Sequence, residues 1–269
     1  YGAPLHPWRP LSHSRTTLPM VLSSHGYLTQ LIHDNPHLVN GGHGFDYPFD
    51  YWSQIRGAEV DRPWPPLLNS NGRQEKIPSL HNWHRDPLFD EFFDNQNDTV
   101  PSMLYSYAGA NADRTKMSQW NCARLFNQAA RFCKENQKRD RFFLWVDCFD
   151  PHEPWDVPSE FFRRYDPRKN SDGKIDPRSF LVTKNLIDPK YDSSSGAKLA
   201  KSVIAAQYAA KTAWMDHCFG TLVSSLAETG LDRNTVVILV SDHGTNVGQP
   251  RLGGPKFSKG WPVRQGEAH

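Results

Sequence analysis

Residues 235–259 read TVVILVSDHGTNVGQPRLGGPKFSK. The stretch opens on an unbroken apolar, largely β-branched run, Val236-Val237-Ile238-Leu239-Val240, and then breaks into Ser241-Asp242-His243-Gly244. Such a run bounded by turn residues suits a strand buried on both faces of a parallel sheet. In open α/β sheets, ligands gather just beyond the carboxyl ends of such strands. Asp242 and His243 offer a hard oxygen and an imidazole nitrogen there, donors that a divalent cation accepts. Lys256 and Lys259 follow. Taken alone, the segment reads equally well as a polar turn with incidental lysines.

The pattern recurs upstream. Leu18, Val21 and Leu22 follow Thr16-Thr17 and predict a short helix capped by Thr and stopped at His25-Gly26, where glycine is the usual residue. A strand over 27–32 then ends in His33-Asp34-Asn35-Pro36-His37. Apolar residues at three- and four-residue spacing predict a helix over 118–137. Behind it, Phe142-Phe143-Leu144-Trp145-Val146 forms a strand that ends in Asp147-Cys148-Phe149-Asp150-Pro151-His152-Glu153. The longest helix covers 197–230, with Ile204, Tyr208, Met215, Phe219, Leu222 and Leu226 on one stripe. Residues 40–65 read as ordered loop, 66–115 carry no clear period, and 159–196 is a long polar insertion of the kind that tends to be functional or mobile. This order predicts an α/β fold, a mostly parallel sheet with helices on both faces.

Composition narrows the class of partner. The 269 residues suffice for one large α/β domain or two smaller ones. A formal net charge of +2 gives no basic excess to argue for nucleic acid. No apolar run is long enough to span a bilayer. The chain opens at Tyr1 without a leader and stops at His269 in mid-loop, which reads as an internal piece of a longer protein with unreadable localisation. Cys122, Cys133, Cys148 and Cys218 form no C-x-x-C pair and read as buried free thiols, not as a zinc site or a disulfide framework.

Three predicted strand ends thus present His37, His152 and the pair Asp242/His243. In a doubly wound sheet such ends lie along one edge. A cluster of this kind suits an anionic ester, with a metal to polarise it and an imidazole to protonate the leaving group.

These residues carry a resemblance. Thr17-Leu18-Pro19-Met20-Val21-Leu22 with His25-Gly26-Tyr27, then Gly44-Phe45-Asp46, Asp150-Pro151-His152-Glu153-Pro154-Trp155, Tyr208 with Asp216, Gly220 and Leu226, and finally Asn234-Thr235-Val236 with Ser241-Asp242-His243-Gly244, stand in the order of the sulfatase family of the alkaline phosphatase superfamily. The resemblance implies that family's three-layer α/β/α fold, here incomplete at both ends, with residues 1–269 a piece of the catalytic domain. It implies Asp242 and His243 as metal ligands and His152 as the residue that contacts the sulfate or its leaving oxygen and acts as general acid. It further implies Lys256 or Lys259, with Lys256 preferred, on a sulfate oxygen, and His37 hydrogen-bonded to the nucleophile. Family habit points to Ca2+, with Mg2+ or Mn2+ also compatible with the ligand types.

Two departures accompany it. The family's C/S-x-P-x-R motif, whose Cys or Ser becomes formylglycine, does not occur; Ser12-His13-Ser14-Arg15 lacks the proline and the spacing. The acidic pair that completes the metal site is likewise missing. Both are expected upstream of Tyr1, so the isolated 269 residues are expected to be inactive. The resemblance implies hydrolysis of a small-molecule or carbohydrate sulfate ester by the parent protein. A phosphate- or phosphonate-monoester hydrolase and a non-catalytic relative are the alternatives. His33, His43, His84 and His217 read as surface or packing histidines.

Overall fold

The computed structural model describes residues 10–59, 61, 80, 82–92, 102–179, 195–247 and 257–258. The chain divides into two compact units. The first comprises Tyr1–Pro78, Tyr105–Asp150 and Met215–Asn234, the second Ser79–Leu104, Pro151–Trp214 and Thr235–His269. No helix among the described residues is long and apolar enough to cross a membrane.

The first unit is built on a parallel sheet of β1 (Leu28–His33), β2 (Tyr51–Gln54) and β3 (Phe142–Asp147), in the order β2-β1-β3. The predicted parallel α/β architecture is therefore present. Helix α1 (Leu18–Ser24) leads into β1, with Pro19 near its start, where a missing N–H costs nothing. Thr17 is its cap by position only, because its side chain makes no capping bond. The helix closes at His25, and Gly26 takes a φ of 82°, a conformation that favours glycine. Residues 40–65 are not all loop: β2 lies within them and pairs Gln30 with Tyr51 through His33 with Gln54. A stretch rich in Gly and aromatics hides so short a strand from any periodicity argument.

Helix α2 spans Ser102–Ala110 and α3 spans Asn121–Glu135. The face of α3 carrying Cys122, Leu125, Phe126, Ala129, Ala130 and Cys133 is buried. Phe132 meets Phe142 of β3 edge-on at 5.6 Å, and Phe126 meets Phe219 at 5.7 Å. The Ser225 hydroxyl donates to the Ala130 carbonyl at 3.0 Å. Burying an apolar stripe of this kind is what stabilises a helix of such length, since propensity alone is marginal in water.

The second unit holds α4 (Ser159–Tyr165) and the first part of the long helix α5 (Ser195–Thr229), whose last part belongs to the first unit. Its core includes Trp155, Phe162, Ile175, Ile204 and Trp214, all nearly inaccessible to water. Phe161 packs edge-on against Trp214 at 4.9 Å. The region 159–196 is therefore not merely an insertion: α4 opens it and inserts two phenylalanines into the core. Arg178 bonds Asp176 at 2.7 Å and Asp90 at 2.7 Å, while Arg168 bonds Asp166 at 2.6 Å and also pairs with Asp86. A minimal antiparallel pair, β4 (Asn246–Val247) with β5 (Phe257–Ser258), completes the unit.

One expectation fails. Residues 236–240 are not a strand buried on both faces. They run without strand pairing among the described residues, and their side chains are 53% to 86% exposed. Hydrophobic pattern states what burial a segment favours; a ladder additionally requires a neighbouring strand to supply donors and acceptors.

Candidate active site

In the first unit, the register sets the carboxyl ends of the strands level. His33, the last residue of β1, is opposite Asp147 on β3 and Gln54 on β2. The Asp34 N–H donates to the Asp147 carbonyl at 3.2 Å, and the buried Asp34 carboxylate accepts the Phe149 N–H at 2.6 Å. A carboxylate on a backbone donor is a strong, charge-assisted bond, so Asp34 fixes the chain where it leaves β3. His37 lies on the short helical turn Pro36–Leu38, started by Asn35, whose side-chain oxygen accepts the His37 N–H at 3.0 Å. The His37 carbonyl accepts His43 Nδ1–H at 2.5 Å, and its ring meets Phe149 edge-on at 6.0 Å.

His33 is no surface residue. It is fully buried, its Nδ1–H donates to the Asn35 carbonyl at 3.0 Å, and Nε2 has no hydrogen-bond partner among the described residues. Burial lowers its pKa below 6.5, against the opposing pull of the Asn35 carbonyl and of Asp147, Asp46 and Asp61. Between the folded pKa and 6.5 the unfolded chain therefore binds more protons. The stabilisation is complete above about 6.5 and is lost as pH falls towards the folded value. Urea unfolding of the wild type and His33→Gln between pH 8 and pH 5 is expected to show a shallower acid-side loss in the variant, and equal slopes would count against this account.

In the second unit, the turn that follows β3 carries His152 and Glu153. His152 is partly exposed; its Nδ1–H donates to the Glu153 carbonyl at 2.9 Å, with the Glu153 carboxylate 3.3 Å away. The Trp155 indole N–H donates to the Pro151 carbonyl at 3.1 Å and closes the turn. Trp155 is buried edge-on against Tyr208 of α5 at 5.7 Å. Behind it, Lys211 donates to the Asp156 carbonyl at 3.1 Å, and Asp156 also accepts from Asn82.

Asp242 and His243 follow the exposed apolar run. The His243 N–H donates to the Asp242 carboxylate at 2.8 Å, His243 Nδ1–H donates to the Gly244 carbonyl at 2.9 Å, and Nε2 is 3.6 Å from the carboxylate. The Asp242 side chain is 87% exposed. Among the described residues these two donors do not join a third carboxylate, imidazole or thiol at metal-ligand distance. Lys256 and Lys259 lie outside the described residues.

Tyr208, read from the sequence as part of a helical stripe and of the family resemblance but given no role at the site, links these pieces within the second unit. Burial raises its pKa, the hydrogen bond with the Thr245 backbone opposes this, and the Glu153 charge adds to the rise. The tyrosine thus touches the segment after Asp242-His243 and senses the His152–Glu153 turn. Its polar tip on an otherwise apolar helix face was the available signal. Asp34 and His33 carried a signal too, standing at the end of β1 as Asp147 stands at the end of β3.

The sulfatase family model matches residues 2–263. The chain belongs to the sulfatase family. An endo-4-O-sulfatase of Bacteroides thetaiotaomicron is 31% identical over 222 residues, covering 80% of this chain and 38% of its own length. The iduronate 2-sulfatase of Mus musculus is 24% identical, covering 90% and 42%. A crystal structure of Ps i-CgsB in complex with k-i-k-neocarrahexaose is similar with a TM-score of 0.44 and 17% identity, covering 93% of this chain and 43% of that one. This sulfatase chain thus spans about two fifths of the length of the relatives it matches.

Proposed function

We propose that the protein is a sulfuric ester hydrolase. The observation that carries this reading is the family match across nearly the whole chain. Asp242 and His243 suit a divalent cation by donor type, a carboxylate oxygen beside an imidazole nitrogen. They supply two of the ligands in this reading, and the acidic pair and the formylglycine nucleophile lie outside these 269 residues. A bound cation, Ca2+ in this reading, supplies Lewis-acid polarisation of a sulfate oxygen. With Nδ1 engaged by the Glu153 carbonyl, His152 donates a proton to the leaving oxygen from Nε2. His37 is the base that assists release of sulfate, and Lys256 binds a sulfate oxygen.

The substrate class in this reading is a sulfated carbohydrate. Two relatives support it by name, one for iduronate and both for a numbered sulfate position.

The test uses the full-length protein. Asp242→Ala and His243→Ala are each expected to lower kcat/KM on a sulfate ester at least about 10²-fold, with loss of bound metal in elemental analysis. Unchanged metal content and turnover in both variants removes them from the site. Preference for a matched phosphonate ester over the sulfate overturns the sulfatase reading.

A further inference from the structure

The sequence separates Cys122, Cys148 and Cys218 widely and shows no pairing motif. The first unit gathers them. Cys122 is in the first turn of α3, Cys148 is the residue after β3, and Cys218 lies on the part of α5 that belongs to this unit. All are free thiols, and Cys122 Sγ lies 3.8 Å from Cys148 Sγ. Cys218 also acts on the Cys122 thiol through a side-chain hydrogen bond that raises its pKa. Cys133, on the same helix as Cys122, lies apart and is raised to about 11 by burial alone.

We propose that Cys122 and Cys148 are a reversible dithiol–disulfide modification site, oxidised by a small-molecule disulfide. Bond formation requires the two sulfurs to close from 3.8 Å to about 2.05 Å. Access sets the order of events. Cys122 is 1% and Cys218 3% exposed, whereas residue 148 as a whole is partly exposed although its thiol is held in by burial, so in this proposal the oxidant approaches at Cys148.

The Cys148 thiolate attacks one sulfur of the small disulfide, forming a mixed disulfide and expelling one thiolate. The Cys122 thiolate then attacks the Cys148 sulfur and expels the second. The protein loses two protons and two electrons, and the small disulfide becomes two thiols. The hydrogen bond with Cys122 and burial hold the Cys148 thiol well above its ordinary range. For Cys122 the bond with Cys148 favours the thiolate, but the bond with Cys218, burial and Asp150 outweigh it. Exchange is therefore slow at neutral pH and accelerates as pH rises, since the thiolate is the attacking species. The site adjoins Phe149, whose N–H is held by Asp34 and whose ring meets His37.

Each cysteine falls on its own tryptic peptide, bounded by Lys116 and Arg124, Arg131 and Lys134, Arg141 and Arg163, or Lys211 and Arg233. The 269-residue chain is equilibrated in oxidised glutathione under native conditions, alkylated and mapped by mass spectrometry. The expected product links the Cys122 and Cys148 peptides, leaves Cys133 and Cys218 alkylated, forms faster at higher pH and reverts with dithiothreitol. Cys133→Ser leaves the cross-link in place, and Cys122→Ser arrests the reaction with glutathione on Cys148. The proposal is overturned if all four thiols stay alkylatable, if Cys218 is the partner, or if the link forms only after denaturation. The map of the unaltered chain decides the matter even where a variant fails to fold.

Discussion

Replacing His152 with alanine in the full-length protein is expected to lower kcat on the sulfate ester of an alkyl or sugar alcohol by about 10²–10⁴-fold. On nitrophenyl sulfate the loss is expected to be far smaller. An alkoxide is a poor leaving group and departs only as it gains a proton, whereas nitrophenolate departs without one. In the proposed reading His152 is the proton donor; its ring is partly exposed on a turn closed by Trp155, and its Nδ1–H donates to the Glu153 carbonyl. Steady-state kinetics on both substrates make the test. Equal losses on the two would mean that His152 holds the sulfate group and does not protonate the leaving oxygen.

Phe162→Ala is expected to destabilise the 269-residue chain by about 3–5 kcal/mol. Phe162 is 0% exposed in the core of the second unit, so truncation removes apolar contact and leaves a cavity. Ile238→Ala, at a residue 78% exposed, is expected to change stability by no more than about 0.5 kcal/mol in the same chain. Urea unfolding of the two variants beside wild type checks both. A cost for Ile238→Ala comparable to that of Phe162→Ala would place residues 236–240 in a core, as their sequence pattern first suggested.

Local pattern reached furthest where one element satisfies itself. Helix α3 is legible because its apolar residues recur at helical spacing, and β1 and β3 because short apolar runs end in polar turns. Strand β2 was missed because Tyr51–Gln54 has neither alternation nor an apolar run; its pairing with β1 makes it a strand. Helix α4 was missed because a seven-residue helix is too short to show a period among polar neighbours. The identities of Asp242, His243, His152 and His37 as chemically competent groups were readable from residue type and position after a strand or apolar run. Their surroundings were not. Asp34 at the Phe149 N–H, buried His33 and Tyr208 at Thr245 are contacts between residues distant in the chain.

The amino-acid order alone established the family, the parallel α/β plan and the residue types able to bind a cation and move a proton, because these follow from motifs and short-range periodicity. Tertiary packing alone placed His33 in a buried end of β1, set Cys122 against Cys148, and left residues 236–240 exposed. The reason is physical: burial, hydrogen-bond pairing and thiol proximity depend on which distant segments meet. A run such as Val236-Val237-Ile238-Leu239-Val240 specifies how strongly it favours a partner without specifying which strand supplies one.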